Sequence, residues 1–436
     1  MNRPDKPGAL NRRTLLGGTA AAGLTALTPA GSAVASDTAG PGSRRGPVGQ
    51  AEVDAVTRRL EPGLIALRRT LHAHPELAGA ERTTSRTVSR LLRAAGLTVT
   101  TGVGGFGVVG VLKGARPGRT VAYRADMDAV PPAGIVTGGT EPAHVCGHDV
   151  HTTVGVGVAQ ALSRLRHRLA GTVVFLFQPG EEALAGARAM LADGVLETFG
   201  PEEIHALHCG PFPVGQFAVT PGSGLPGQDG ATITVSGPDA LAAAGRLADE
   251  IKGLATVAPP QTPADLEKMV ADVQTAHGPL ASFVVVRAGV VQDPGTGGVT
   301  VPVSYRCWPE ERYVEVRAAI RRLAAPYEGA VVDFPKDPFP ALVCPAEDAL
   351  ALGRRLRRVL GADAVTTAHA AFPFNGEDYA LFLDRIPGTY TFLGVRTPGS
   401  VITRSYPHYG DFTPDERAIG VGVRAMAGWL AERAHR

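Results

Sequence analysis

A chain of 436 residues exceeds what one compact core usually reaches, so two domains are expected. Hydrophobic residues make up 44% and charged residues 19%, which excludes a disordered chain. The net charge of +2 argues neither for nor against an acidic partner, and no Lys/Arg block interleaved with aromatics gives a nucleic-acid footprint.

At the N-terminus, Asn11-Arg12-Arg13-Thr14-Leu15-Leu16 opens an Ala/Gly-rich run to Ala30, and Ala33-Val34-Ala35 precedes Ser36. A charged start, a short apolar centre and a small-x-small end read as a signal peptide over residues 1–35, and the paired arginines point to twin-arginine export. A Gly/Pro/Ser linker is expected over 36–50. No other stretch approaches the ~20 apolar residues needed to span a bilayer, so the mature form is expected to have no membrane association.

Residues 51–222 alternate between helical and strand patterns. Helices are predicted at 51–74, 83–95, 151–169 and 184–191, and strands at 97–101, 107–112, 120–124, 172–177 and 204–207. From 223 to 336 the order is strand 231–235, helices 241–254 and 264–276, strands 282–291 and 299–307, helix 313–325 and strand 330–334. Over 337–436 the first pattern resumes, with helices 346–360, 377–383 and 414–434 and a strand at 389–393. The fold class is therefore α/β: a mostly parallel-sheet catalytic domain interrupted by a smaller α+β domain. Gly102-Val103-Gly104-Gly105-Phe106-Gly107 fits G-x-G-x-x-G, but it leads into a predicted strand rather than a helix, so it marks a turn.

Polar residues gather where predicted strands end. Strand 120–124 runs into Asp126 and Asp128, strand 172–177 into Gln178-Pro179-Gly180-Glu181-Glu182, and strand 204–207 into His208. In a parallel sheet such ends meet in one crevice. His144-Val145-Cys146-Gly147-His148-Asp149-Val150-His151 adds thiolate, imidazole and carboxylate, the donors that hold zinc and related ions. Cys146 and His148 are two apart, so an extended loop would point both the same way. Of Glu181 and Glu182, one can bind metal while the other moves a proton. Cys146 also admits two other readings: a buried apolar residue, or a thiol nucleophile with His148 or His151 as base. His72, His74, His144 and His151 are read as supporting or surface residues. Cys209, Cys307 and Cys344 form no recognisable disulfide framework.

Seven segments in order carry a resemblance: Leu71-His72-Ala73-His74-Pro75-Glu76-Leu77, Arg124-Ala125-Asp126-Met127-Asp128-Ala129-Val130-Pro131, 144–151, 178–182, Leu207-His208, Gly376-Glu377-Asp378-Tyr379 and Pro407-His408. The chain resembles the aminoacylase, hippurate hydrolase and auxin-conjugate amidohydrolase branch of the dinuclear metallopeptidases, to which carboxypeptidase G2 is related. The resemblance implies a zinc-peptidase-type catalytic domain, a ferredoxin-like lid and homodimerisation through that lid. It implies two divalent ions about 3.5–4 Å apart, zinc or manganese with cobalt or nickel as options, held by Cys146, His148, Glu182, His208 and His408. Glu181 would be the general acid and base for attack by metal-bound hydroxide on a small N-acyl amino acid or related amide. Asp128 would orient a ligand.

One departure stands out. Relatives carry a lid histidine that stabilises the tetrahedral intermediate, whereas this chain reads Ser236-Gly237-Pro238-Asp239-Ala240-Leu241-Ala242-Ala243-Ala244-Gly245, and its only inserted histidine, His277, falls elsewhere. Loss of one oxyanion donor costs ~10²–10³ in rate. Slower turnover, recruitment of another donor such as Arg306, a different substrate, or an exported metal- or ligand-binding protein on the same scaffold all remain open.

Overall fold

The computed structural model describes residues 47–130, 141–335 and 337–435, so the expected signal peptide and most of the expected linker lie outside the described residues. The chain enters through helices α1 (Gln50–His72) and α2 (Arg82–Ala94). Strands β1 (Thr98–Val103), β2 (Gly107–Lys113) and β3 (Arg116–Asp126) follow, then α3 (His148–Arg164), β4 (Ala170–Gln178), α4 (Gly186–Ala192), α5 (Val195–Phe199), β5 (Glu203–Pro213), β6 (Phe217–Val219) and β7 (Gly224–Leu225). A second group comprises β8 (Asp229–Val235), α6 (Ala240–Lys252), α7 (Pro263–Val273), β9 (Phe283–Ala288), β10 (Val291–Gln292), β11 (Val299–Trp308), α8 (Tyr313–Ala324) and β12 (Val331–Asp333). The chain closes with β13 (Leu342–Val343), α9 (Ala346–Leu360), β14 (Val365–Thr367), α10 (Ala380–Leu383), β15 (Gly388–Arg396) and α11 (Arg417–His435).

The large sheet runs β1-β2-β4-β3-β5-β15-β6-β14, and its four central strands, β4, β3, β5 and β15, are mutually parallel. Both faces are covered, which explains the nearly unbroken apolar runs of the central strands. Val121, Tyr123, Val173 and Phe175 face a core with α1, α3 and α11, while the alternating Ala122, Val174 and Leu176 face the other side with Ala187 and Met190 of α4. The glycine-rich stretch after β1 is the turn of an antiparallel β1–β2 hairpin, as its sequence context required.

The second sheet is antiparallel in the order β10-β11-β8-β12, with β9 also on β11. Apart from the two-residue β10, its four strands and the helices α6 and α8 form the arrangement of a ferredoxin-like unit, with Ile233, Val301, Leu247 and Ile320 in its own core. Three expectations need correction. The strand expected over 282–291 breaks after Ala288 into β9 and the short β10. Helix α7 does not belong to that small core: Leu266, Met269, Val270 and Val273 pack with Phe372 and Phe392 against the large sheet. The helix expected from 184 starts at Gly186, because Glu181 to Leu184 form a turn closed by the Leu184 N–H on the Glu181 carbonyl, 2.7 Å.

Candidate metal centre and its cavity

The site opens at the carboxyl ends of the parallel strands. β3 pairs with β4 as far as Asp126 opposite Gln178, but with β5 only as far as Arg124 opposite Ala206. β5 does not end at Leu207, as the sequence suggested, but continues beside β15 to Pro213. His208 is therefore a mid-strand residue standing just past the last residue paired to β3, which is what exposes its ring to the crevice.

The segment from Cys146 to His148 is not an extended loop. Gly147 caps α3 in the left-handed region at φ 96°, and His148 is the first helical residue. A side chain at Gly147 would both strain that backbone and collide with Cys209 Sγ at 2.7 Å. The tight turn, not strand alternation, brings the Cys146 thiol and the His148 ring together. His408 arrives from the far end of the chain with φ 70°, its N–H donating to the Val145 carbonyl at 2.8 Å, so the two loops are tied to each other. Glu181 and Glu182 are fixed in turn. The Gly180 N–H donates to Glu81 Oε1 at 2.8 Å, and the Glu182 N–H donates to Asp128 Oδ2 at 2.9 Å.

All five expected ligands converge. Candidate donor atoms of Cys146, His148 and His208 lie within 4.8 Å of one another, as do those of Cys146, Glu182 and His408, and those of His148, Glu181 and Glu182. The two first groups share Cys146. His208 Nε2 lies 3.3 Å from Cys146 Sγ, and His408 Nε2 lies 3.5 Å from Glu182 Oε2.

The hydrogen-bonding pattern fits a cation. His148 Nδ1 faces the Asp128 carbonyl at 2.9 Å and Oδ1 at 3.3 Å; His208 Nδ1 faces the Cys209 carbonyl at 2.8 Å. Those acceptors assign the ring hydrogens to Nδ1 and turn both Nε2 atoms into the crevice. His148 Nε2, Glu181 Oε1 and Glu182 Oε1 are buried without a hydrogen-bond partner. Positive charge is wanted there: although burial opposes it, Asp126, the Asp128 hydrogen bond and Glu182 raise His148 to about 10. Burial and the nearby carboxylates Glu182 and Glu181 push the Cys146 thiol well up, so a thiolate at this position needs a cation beside it. Burial, Glu377 and Glu182 likewise push Glu181 well above the usual carboxylate range.

The rival reading of Cys146 as a nucleophile loses one of its bases. His151 Nδ1 is held by Asp126 Oδ1 at 2.6 Å, and its Nε2 accepts from the Cys209 N–H at 2.8 Å, so neither nitrogen is available. All four cysteines are free and buried.

Below the site lies an arrangement that the motifs contained but their spacing did not reveal. The fully buried Arg124 guanidinium donates to Gln178 Oε1 at 2.8 Å, Asp126 Oδ2 at 2.5 Å, Glu377 Oε1 at 2.9 Å and Asp378 Oδ1 at 3.2 Å. Asp378 also accepts from Gln178 Nε2 at 2.7 Å and the Ala187 N–H at 2.9 Å. Burial raises Asp378 to about 7 against the pull of Arg124. Arg124 and Glu377 stand 253 residues apart, so their complementarity becomes visible only once the loop before α10 packs against β3.

The crevice opens into a cavity of about 570 Å³. Its wall carries Phe372, Phe374, Phe392, Tyr406 and Tyr409, and the second sheet contributes Arg287 and Arg306. The segment in the place of the expected lid histidine is a turn leading into α6. His277 is exposed and does not line the cavity.

Residues 122–432 match the model of Peptidase family M20/M25/M40. The chain belongs to this family of metal-dependent hydrolases. It is 32% identical over 387 residues to an N-acetylcysteine deacetylase of Bacillus subtilis, covering 84% of this chain and 95% of that one. With an N-acetyldiaminopimelate deacetylase of Enterococcus faecalis it shares 28% identity over 381 residues, 84% of this chain and 97% of the relative. A solved M20 dinuclear metal-binding peptidase from Bacillus subtilis superposes with a TM-score of 0.67 at 28% identity, covering 87% and 99% of the two chains. Among the described residues of the M20 chain, no helix is long and apolar enough to cross a membrane.

Proposed function

We propose that this M20 hydrolase cleaves the amide bond of a small N-acyl amino acid at a two-metal centre held by Cys146, His148, Glu182, His208 and His408. The observation that carries the reading is the convergence of those five side chains beside Glu181, whose Oε1 is buried and unpartnered. The deacetylases among its relatives support an N-acyl amino acid as substrate. Bound there, two divalent cations, zinc or manganese, supply Lewis acidity to the scissile carbonyl and lower the pKa of the attacking water.

The protein's own part follows from its geometry. Asp128 holds His148 by Nδ1 and Glu182 by its backbone N–H, so one carboxylate orients two ligands. Cys146 belongs to two of the donor groups, one with His148 and His208 and one with Glu182 and His408, so its thiolate would help to hold the metal pair. Glu181, buried beside those ligands with Oε1 unpartnered, is placed to take a proton from the attacking water and deliver it to the leaving amine nitrogen. The aromatic wall excludes water around the acyl group and favours a large or aromatic one.

The test is to measure metal content of purified protein, then turnover of acetyl-, benzoyl- and indole-acetyl-amino acids. Glu181→Gln is expected to lower kcat by ~10²–10⁴-fold with metal stoichiometry unchanged. Full activity in that variant would refute the assignment. Tight metal binding without turnover of any amide would leave a binding protein on this scaffold.

A further inference from the structure

The cavity-facing side of the second sheet carries two arginines. Arg287 of β9 is registered opposite Ser304 of β11, and Arg306 lies two residues further on, so strand alternation puts both on one face as diagonal neighbours. Both line the cavity. Among the described residues no ion pair joins either to a carboxylate, and Arg306 has a buried guanidinium nitrogen with no hydrogen-bond partner. Burial and Arg287 push Arg306 down to about 10.

Other buried arginines are matched: Arg68 with Asp149 at 2.8 Å, Arg124 with its three carboxylates, Arg355 with Glu432 at 2.6 Å. Like charges sharing a sheet face repel, and a buried donor without an acceptor costs more than an average hydrogen bond contributes. The fold nevertheless makes room for this group. A Cβ on Gly376 would stand 2.3 Å from an Arg306 guanidinium nitrogen, so the side chain lies flush on the loop preceding Glu377. Arg306 is the deeper of the two and is drawn toward Glu181, whereas Arg287 is exposed at the mouth.

A single carboxylate matches one guanidinium in a two-point fork and leaves the other unmatched. We propose that Arg306 and Arg287 form a paired anion subsite for substrates with two carboxylates, namely N-acyl derivatives of dicarboxylic amino acids. Arg306 takes the carboxylate nearer the scissile amide and Arg287 the distal one. The assignment rests on the amide-hydrolase reading above and deepens it.

The experiment compares N-benzoyl-glutamate with N-benzoyl-glutamine, nearly the same shape without the second charge, on the metal-loaded enzyme. A kcat/KM at least about tenfold higher for the glutamate derivative is expected, chiefly through KM, since a charge-assisted hydrogen bond contributes about that factor. Arg287→Met should bring the two substrates to the same kcat/KM. Equal use of both by the unaltered enzyme, or a preference that survives Arg287→Met, overturns the proposal while leaving the hydrolase reading intact. If no N-acyl amino acid of either kind is cleaved, the hydrolase reading is what has failed. Thermal shifts with the same two compounds then decide the subsite: greater stabilisation by the glutamate derivative, lost in Arg287→Met, supports it, and equal shifts overturn it.

Discussion

Replacing Arg124 with methionine removes the one guanidinium in contact with Asp126, Glu377 and Asp378 among the described residues. In the folded chain Arg124, Asp126 and Asp378 have no exposed side-chain surface, and Glu377 has 1%. The lost hydrogen bonds are charge-assisted; Asp126 keeps His151 at 2.6 Å, but among the described residues no cationic side chain remains against the buried Glu377 and Asp378. Breaking a buried ion pair from one side costs ~3–5 kcal/mol, because the abandoned charge is uncompensated. The cost should depend on pH with a definite sign. Burial already raises Asp378 to about 7 against the pull of Arg124; without the guanidinium it rises further, so the unfolded chain binds fewer protons there and the variant's stability falls as pH rises. Urea denaturation of metal-free protein, so that metal linkage does not enter, should show a deficit of ~3–5 kcal/mol near pH 8 and a smaller one near pH 5.5. A deficit under about 1 kcal/mol, in the range of an exposed ion pair, or one independent of pH, would refute the idea that Arg124 neutralises the floor of the site.

Other consequences are as direct. Asp128→Ala leaves His148 Nδ1 with only the backbone carbonyl and frees the Glu182 N–H; metal affinity by competitive chelator titration should fall ~10–100-fold, and an unchanged affinity would remove Asp128 from its orienting role. Glu203, buried against Arg433, is held down to about 2, so its stabilising contribution is complete above pH 4.5 and is lost as pH falls toward 2. Arg433→Met should lower the urea midpoint at pH 7, with the difference narrowing between pH 5 and pH 3; a constant difference would contradict the linkage. Gly157→Ala places a Cβ 2.5 Å from Val423 and 2.8 Å from Leu64 where α3 meets α11 and α1. Overpacking of ~1–3 kcal/mol should outweigh the roughly 1 kcal/mol helix-propensity gain, so its thermal midpoint should drop.

The sequence alone was enough for the alternation of the large sheet, because β3 and β4 are apolar on both faces and bounded by turn residues. It was enough, too, to pick out the donor set, because thiol, imidazole and carboxylate at strand ends are costly unless used. Weak edges escaped it: β6, β7, β10, β13 and β14 have two or three residues each and too little periodicity to register. Position α7 shows the other limit, since an amphipathic face declares that it will be buried but not against which core.

What sequence by itself determined was therefore chemical identity: which side chains can bind a cation, which can carry a proton, which runs must be covered. Only tertiary structure decided adjacency. His408 sits beside Cys146 because its N–H reaches the Val145 carbonyl; Arg124 meets Glu377 because the loop before α10 folds back against the end of β3. Arg287 and Arg306 face the cavity together because β9 and β11 pair in one register and not the next. Energies of charge and hydrogen bonding depend on distances between side chains, and those distances do not exist until the backbone has folded.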